Sequence, residues 1–317
     1  MRIFSDINEF NREISKNATE TAVAIGKFDG IHRGHQKLIE VIKSMQARGL
    51  KSVVFTFDMP PAAFFTGHDV AVLTTNDERR EYLAENDVDY LIEYPVNQET
   101  ISTEPEVFIR DVLRDKLNAR VVAAGSDCSF GKDGRGNLEL LRSMQGCMGF
   151  ETVEVDKVRY NGEEISSTLV RSKVSDGDME AARELLGHPY SFAGKVSHGR
   201  KLGSSELSMP TVNIMPEKNK LLPPFGVYFS DVVIGSEIFH GITNVGRKPT
   251  LSDHEAVSVE TFLYDFDDDI YGENLRVELL HWRREERKFE NLDALKKQMH
   301  EDMEAGRMWH KNIDAKY

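Results

Sequence analysis

Thr21-Ala22-Val23-Ala24-Ile25-Gly26-Lys27-Phe28-Asp29-Gly30-Ile31-His32-Arg33-Gly34-His35 sets the reading of the whole chain. Residues 22–25 are continuously apolar, as a strand buried on both faces must be. A glycine-rich turn follows. A helix is then expected over 34–48, with Leu38, Ile42 and Met45 on one face. Such a strand–turn–helix junction suits a triphosphate. Gly30 and Gly34 let backbone approach phosphate oxygens, and the helix N-terminus offers unpaired N–H groups. His32 and His35 can donate hydrogen bonds as negative charge builds up on phosphate during attack. A bland glycine-rich connection with two exposed histidines fits the same letters, but the position between buried strand and helix favours the phosphate site. Zinc fits less well, since no third ligand or close cysteine pair accompanies the histidines.

Outward from this junction, strand-like segments at 52–57, 90–92 and 121–124 alternate with helical patterns at 76–86 and 104–117, the latter with Pro105 in its first turn. Strands separated by helices imply a parallel sheet, with ligands bound at the carboxyl ends of its strands. A helical pair over 171–186 leads to Gly187-His188-Pro189, where the pattern changes. Short strand-like runs at 227–233, 238–243, 257–263 and 275–280 are separated by Pro223-Pro224, Gly235-Ser236, Asp267-Asp268-Asp269 and Gly272. These predict a small antiparallel barrel or sandwich, closed by a helix over 292–303. The aspartate cluster lacks the spacing of a calcium loop and reads as a charged turn. The expectation is two domains, 1–187 and 188–317.

The 317 residues are enough for two ordinary cores. Forty Lys and Arg stand against 53 Asp and Glu, a net charge of −13. The excess lies mostly before His188. It argues against nucleic acid as a partner, while leaving room for a local anion site. No run reaches a membrane helix, and the start lacks the apolar core of a signal peptide. Cys128 and Cys147 make neither a disulfide framework nor a zinc site. A cytoplasmic protein is expected; the oligomeric state is not legible.

The segment G-x-F-D-G-x-H-x-G-H-Q at 26–36 resembles the nucleotidylyltransferase signature in the form found in prokaryotic FAD synthetases. Further matches follow in order: Leu73-Thr74, Val88-Asp89-Tyr90, then Gly125-Ser126-Asp127 with Phe130-Gly131, then Glu164-Ile165-Ser166-Ser167-Thr168 with Arg171. In the second half, Gly194-Lys195-Val196-Ser197-His198-Gly199, Met209-Pro210-Thr211-Val212-Asn213-Ile214, Asn244-Val245-Gly246-Arg247 and Glu260-Thr261-Phe262 resemble a riboflavin kinase module. Nearly the whole chain thus resembles the bifunctional riboflavin kinase/FAD synthetase family. The resemblance implies an α/β plus β protein: a Rossmann-like nucleotidylyltransferase domain with a parallel sheet, then a small six-stranded antiparallel β-barrel with a terminal helix.

It also implies roles. His32 and His35 would contact ATP phosphates. Ser167, Thr168 and Arg171 would hold departing pyrophosphate. Gly26, Phe28, Asp29, Gly30, Gly34 and Asp127 would line the nucleotide site. Gly199, Thr211 and Asn213 would bind ATP, with Mg2+ held by Thr211 and Asn213. Glu260 would take the proton of the flavin ribityl hydroxyl. ATP, riboflavin and FMN would be substrates, and FMN and FAD products. On their own, Ser166-Ser167-Thr168 reads equally as a helix N-cap, Asp127 as a turn residue, Thr211-Val212-Asn213 as a strand start and Glu260 as a solvent-facing strand residue.

The chain departs from the family pattern at three places. Met59 stands where a histidine is usual. Cys128-Ser129 replaces Phe-Arg, with Cys128 expected as a small buried hydrophobe. Glu206 lies in the presumed phosphate flap beside Arg200 and Lys201, where a carboxylate facing phosphate would repel it. These keep two alternatives open: an enzyme with only the adenylyltransferase active, and a flavin-binding regulatory protein. Pantetheine-type and cytidylyl transferases share the His-x-Gly-His chemistry, but the Pro-Thr-Val-Asn domain speaks against them.

Overall fold

The computed structural model describes residues 1–197, 211–248, 256–266, 268 and 270–315. Its contacts divide into two compact units, Met1–Ser167 and Thr168–Tyr317.

The first unit is built on six parallel strands: β1 (Arg2–Phe4), β2 (Thr21–Ile25), β3 (Lys51–Phe57), β4 (Tyr90–Tyr94), β5 (Ala119–Gly125) and β6 (Glu151–Val155). Their order is β1-β4-β3-β2-β5-β6. From β2 the chain winds outward to β3 and β4, then returns to place β5 on the other side. The order therefore reverses between β2 and β5, and the crevice at their carboxyl ends is the ligand-binding place of such sheets. Helices cover both faces: α1 (Ile7–Ser15), α2 (Arg33–Ser44), α3 (Asn76–Glu85) and α4 (Leu138–Met148). Alternate residues of β2 feed different cores. Ala22 and Ala24 join Leu38, Ile42 and Leu83 of α2 and α3. Val23 joins Phe10, Ile109 and Leu141 on the other face. A small hairpin, β7 (Arg159–Tyr160) with β8 (Glu163–Glu164), completes the unit.

Several local structures differ from expectation. The first helix of the motif starts at Arg33 and gives way to a 3-10 turn at Met45–Arg48, which ends at Gly49 with φ 81°. Thr75 caps α3: its hydroxyl accepts from Glu78 N–H, and the Glu78 carboxylate accepts from Thr75 N–H. The helix expected at 104–117 is one α turn, Pro105–Val107, followed by a π-helix, Phe108–Lys116. Elements absent from the sequence reading include β1, α1, α4 and β6. Each is short or charge-interrupted. In β6, for example, Glu151 and Glu154 break the apolar run.

The second unit begins with α5 (Ser167–Ser175, whose first residue belongs to the first unit) and α6 (Met179–Leu186). Six strands follow: β9 (Tyr190–Lys195), β10 (Thr211–Ile214), β11 (Gly226–Ile234), β12 (Glu237–Lys248), β13 (Ala256–Leu263) and β14 (Asn274–Glu285). They form one antiparallel sheet of order β10-β13-β12-β11-β14-β9. Just beyond β9, the Ser197 N–H donates to the Asn213 carbonyl of β10 at 2.9 Å, so the two edges of the sheet meet. One face buries Tyr228, Val245 and Val259 together with a chain of hydroxyls, Ser230 to Thr243 at 2.7 Å and Thr243 to Thr261 at 2.8 Å. The closing helix α7 runs over Leu292–Asp314, one end well beyond the expected 303. Its Trp309 ring lies 5.6 Å from Phe229 of β11.

Candidate active sites

Gly26 leaves the carboxyl end of β2, and the ring of Phe28 folds back so closely that a Cβ on Gly26 would lie 3.0 Å from it. Phe28 and Ile31 are both buried with left-handed backbone, φ 48° and 41°, beside Gly30 at 86°. Bulky residues occupy that region only where the surroundings hold them. Here the anchor is Asp29. Its Oδ1 accepts from the backbone N–H of Leu73 at 2.7 Å and of Thr74 at 3.2 Å, while Gly30 N–H donates to Thr74 Oγ1 at 3.1 Å. Ser167 Oγ donates to the Asp29 carbonyl at 2.9 Å. Asp29 therefore shapes the turn through backbone contacts.

The turn delivers His32 to the N-cap of α2, where its Nδ1 accepts from His35 N–H at 3.4 Å. The two imidazoles stack 3.9 Å apart, and Phe28 lies 5.0 Å from the His35 ring. A Cβ on Gly34 would fall 3.1 Å from the His32 ring, so glycine makes room for it. Burial lowers the His32 pKa to about 4, against the opposing pull of the Asp127 carboxylate. Burial, then the neighbouring His32, hold His35 well below the ordinary value. His35 Nδ1 is buried without a hydrogen-bond partner among the described residues. The pair is thus neutral and pre-stacked.

Asp127 sits just past the end of β5, on the other side of the crevice, with Lys157 Nζ 3.4 Å from its carboxylate. Sequence reasoning missed Lys157, which no motif contains. It also gave no role to Thr74. Both are legible only once the strand order is known. Cys128 packs partly buried against the core, and burial, with Asp127 and Glu154, pushes its thiol up to about 11. Such an environment disfavours the reactive thiolate. Met59 is exposed after β3. Thr168 and Arg171 stand one turn apart on α5, directly after Ser167.

In the second unit, Thr211 and Asn213 are two residues apart on one face of β10. Glu260 of β13 lies directly opposite Asn213, and Asn244 of β12 directly opposite Glu260. Asn213, Glu260 and Asn244 therefore form one row across three strands, with Asn213 buried and Glu260 half-buried. Asn244 was quoted within a motif but given no task, and the register supplies the signal. Gly199, Arg200, Lys201, Glu206, Asp267 and Asp269 lie outside the described residues. Asp265 forms a two-pronged ion pair with Arg307, at 2.7 and 2.9 Å.

A neutral histidine pair, with His32 capping a helix at the strand-order switch, defines a nucleotide-binding α/β transferase unit, here followed by an antiparallel sheet carrying an Asn–Glu–Asn row. The family models agree. FAD synthetase matches residues 14–169 and riboflavin kinase residues 186–310. The bifunctional riboflavin kinase/FMN adenylyltransferase of Listeria monocytogenes is 33% identical over 88% of this chain and 89% of its own. That of Bacillus subtilis is 31% identical over 95% and 96%. A crystal structure described as a macrolide-efflux protein from Streptococcus pneumoniae superposes with TM-score 0.81 at 29% identity, covering 96% of this chain and 98% of that one. The chain belongs to the bifunctional riboflavin kinase/FMN adenylyltransferase family. No helix among the described residues is long and apolar enough to cross a membrane.

Proposed function

We propose that the chain makes FAD from riboflavin in two steps, with functional domains 1–187 and 188–317. The second domain transfers phosphate from ATP to riboflavin, giving FMN and ADP. The first joins FMN to the AMP part of ATP, giving FAD and pyrophosphate. The observation that carries this reading is His32, capping α2 at the strand-order switch with His35 stacked on it. Similarity along the full length of relatives named for both activities supports the pairing.

In the adenylyl transfer the FMN phosphate is already ionised near neutrality, so no protein base is needed. The protein orients and stabilises charge. His32 and His35 donate to the phosphate oxygens. The negative triphosphate favours their protonated forms, opposing the burial that keeps them neutral in its absence. Ser167, Thr168 and Arg171 hold the departing pyrophosphate, for which hydroxyls and a guanidinium fork are suited. Gly26, Phe28, Gly30, Gly34 and Asp127 shape the nucleotide site, and Asp29 holds the turn.

In the kinase domain Glu260 takes the proton of the ribityl hydroxyl. The Thr211 hydroxyl and Asn213 amide form an oxygen donor set that suits Mg2+ accompanying ATP. When bound, that ion offsets phosphate charge. ATP as the shared substrate fits action in the cytoplasm. The test is incubation of the full chain with riboflavin, ATP and Mg2+, followed by chromatography. FMN and then FAD are expected. FAD from supplied FMN alone would restrict the reading to the first domain, and no product from either flavin would refute it.

A further inference from the structure

The second unit holds another histidine cluster, distinct in sequence from the Thr211, Asn213 and Glu260 set. Asp231 of β11 and His240 of β12 are directly opposite each other, with Asp231 Oδ1 2.7 Å from His240 Nδ1. His310, from the last turns of α7, stacks on the His240 ring at 4.2 Å. Its Nδ1 is 3.8 Å from the same Asp231 oxygen. One turn on, the Asp314 carboxylate is 3.3 Å from His240 Nε2. We propose that Asp231, His240 and His310 form a binding site for a divalent transition cation, Zn2+ by its donor chemistry, joining the β11–β12 hairpin to the end of α7.

One ligand atom from each of the three residues lies within 4.8 Å of the others. A tetrahedral zinc shell sets its ligands about 3.3 Å apart, so the stacked His240 and His310 rings, 4.2 Å apart, would turn towards a common centre to close on the ion. His310 is 3% exposed, and its Nε2 is buried with no hydrogen-bond partner among the described residues. His240 has carboxylates at both ring nitrogens. Asp314 on Nε2 is the outer-shell partner that fixes a metal-bound imidazole, leaving Nδ1 to face the site. Two carboxylates and two neutral imidazoles carry −2, which a divalent ion cancels. Nitrogen donors select zinc and its neighbours over magnesium or calcium.

The test strips the purified full-length protein with a chelator and titrates it with Zn2+ by calorimetry, with Co2+ visible absorption as a second readout. One equivalent should bind. His240→Gln and His310→Gln should weaken it by about 100-fold and remove the Co2+ bands, while His32→Ser keeps both. His240 is half-exposed, so its variant stays informative even where the buried His310→Gln fails to fold. Absence of a saturable equivalent, unchanged binding in His240→Gln, or loss in His32→Ser instead would overturn the site.

Discussion

His32 Nδ1 accepts the backbone N–H of His35 at 3.4 Å, and the two rings stack at 18°. One imidazole thus caps α2 and faces the nucleotide crevice. The two duties are separable. His32→Ser preserves a good N-cap, so thermal stability should change little, whereas His32→Ala should lose about 1 kcal/mol. Both should cut FAD formation from FMN by roughly 10²–10³ and leave FMN formation intact, measured by separating the flavins chromatographically.

Glu260 stands between Asn213 and Asn244 on neighbouring strands. Glu260→Gln keeps the shape and removes the proposed base. FMN formation should fall on the order of 10²–10⁴-fold, with FAD formation from supplied FMN unchanged. Unaltered kinase turnover would remove Glu260 from the role of base.

Gly34→Ala places a methyl 3.1 Å from the His32 ring. Alanine favours the helix, by up to about 1 kcal/mol, so melting should hold or rise. The displaced imidazole should nevertheless slow FAD formation by roughly tenfold, since small misplacements are costly in group transfer. Stability and activity moving in opposite directions is the signature to look for.

Acidification should destabilise the first unit through its buried imidazoles. The His32 pKa is about 4 when folded, against an ordinary 6.5 in the unfolded chain. Between those values the unfolded chain binds more protons, so stability is complete above about pH 6.5 and declines as pH falls towards 4. His32 accounts for on the order of 3 kcal/mol across that window, and His35 adds in the same direction. Denaturant melts from pH 7 to 4 should show a shallower slope for His32→Ser than for the parent.

The strand–turn–helix core of the first unit was legible because β2 is apolar at every residue and α2 has a clear face. The flanking β1, α1 and β6 were not, since short or charged elements take their stability from the sheet they join. Likewise, motifs singled out His32, Asp127 and Glu260 as candidates. Lys157 and Asn244 became visible only through strand order and register, which no local pattern carries.

Phe28 and Ile31 hold left-handed backbone while filling the core beneath the crevice. Core and cradle are therefore the same side chains. Mild heating, or a cavity-forming substitution nearby, lets this turn relax first, because relief of its torsion offsets part of the lost packing. Catalysis then fades before cooperative unfolding begins, and loss of FAD synthesis becomes the earliest symptom of a softened interior.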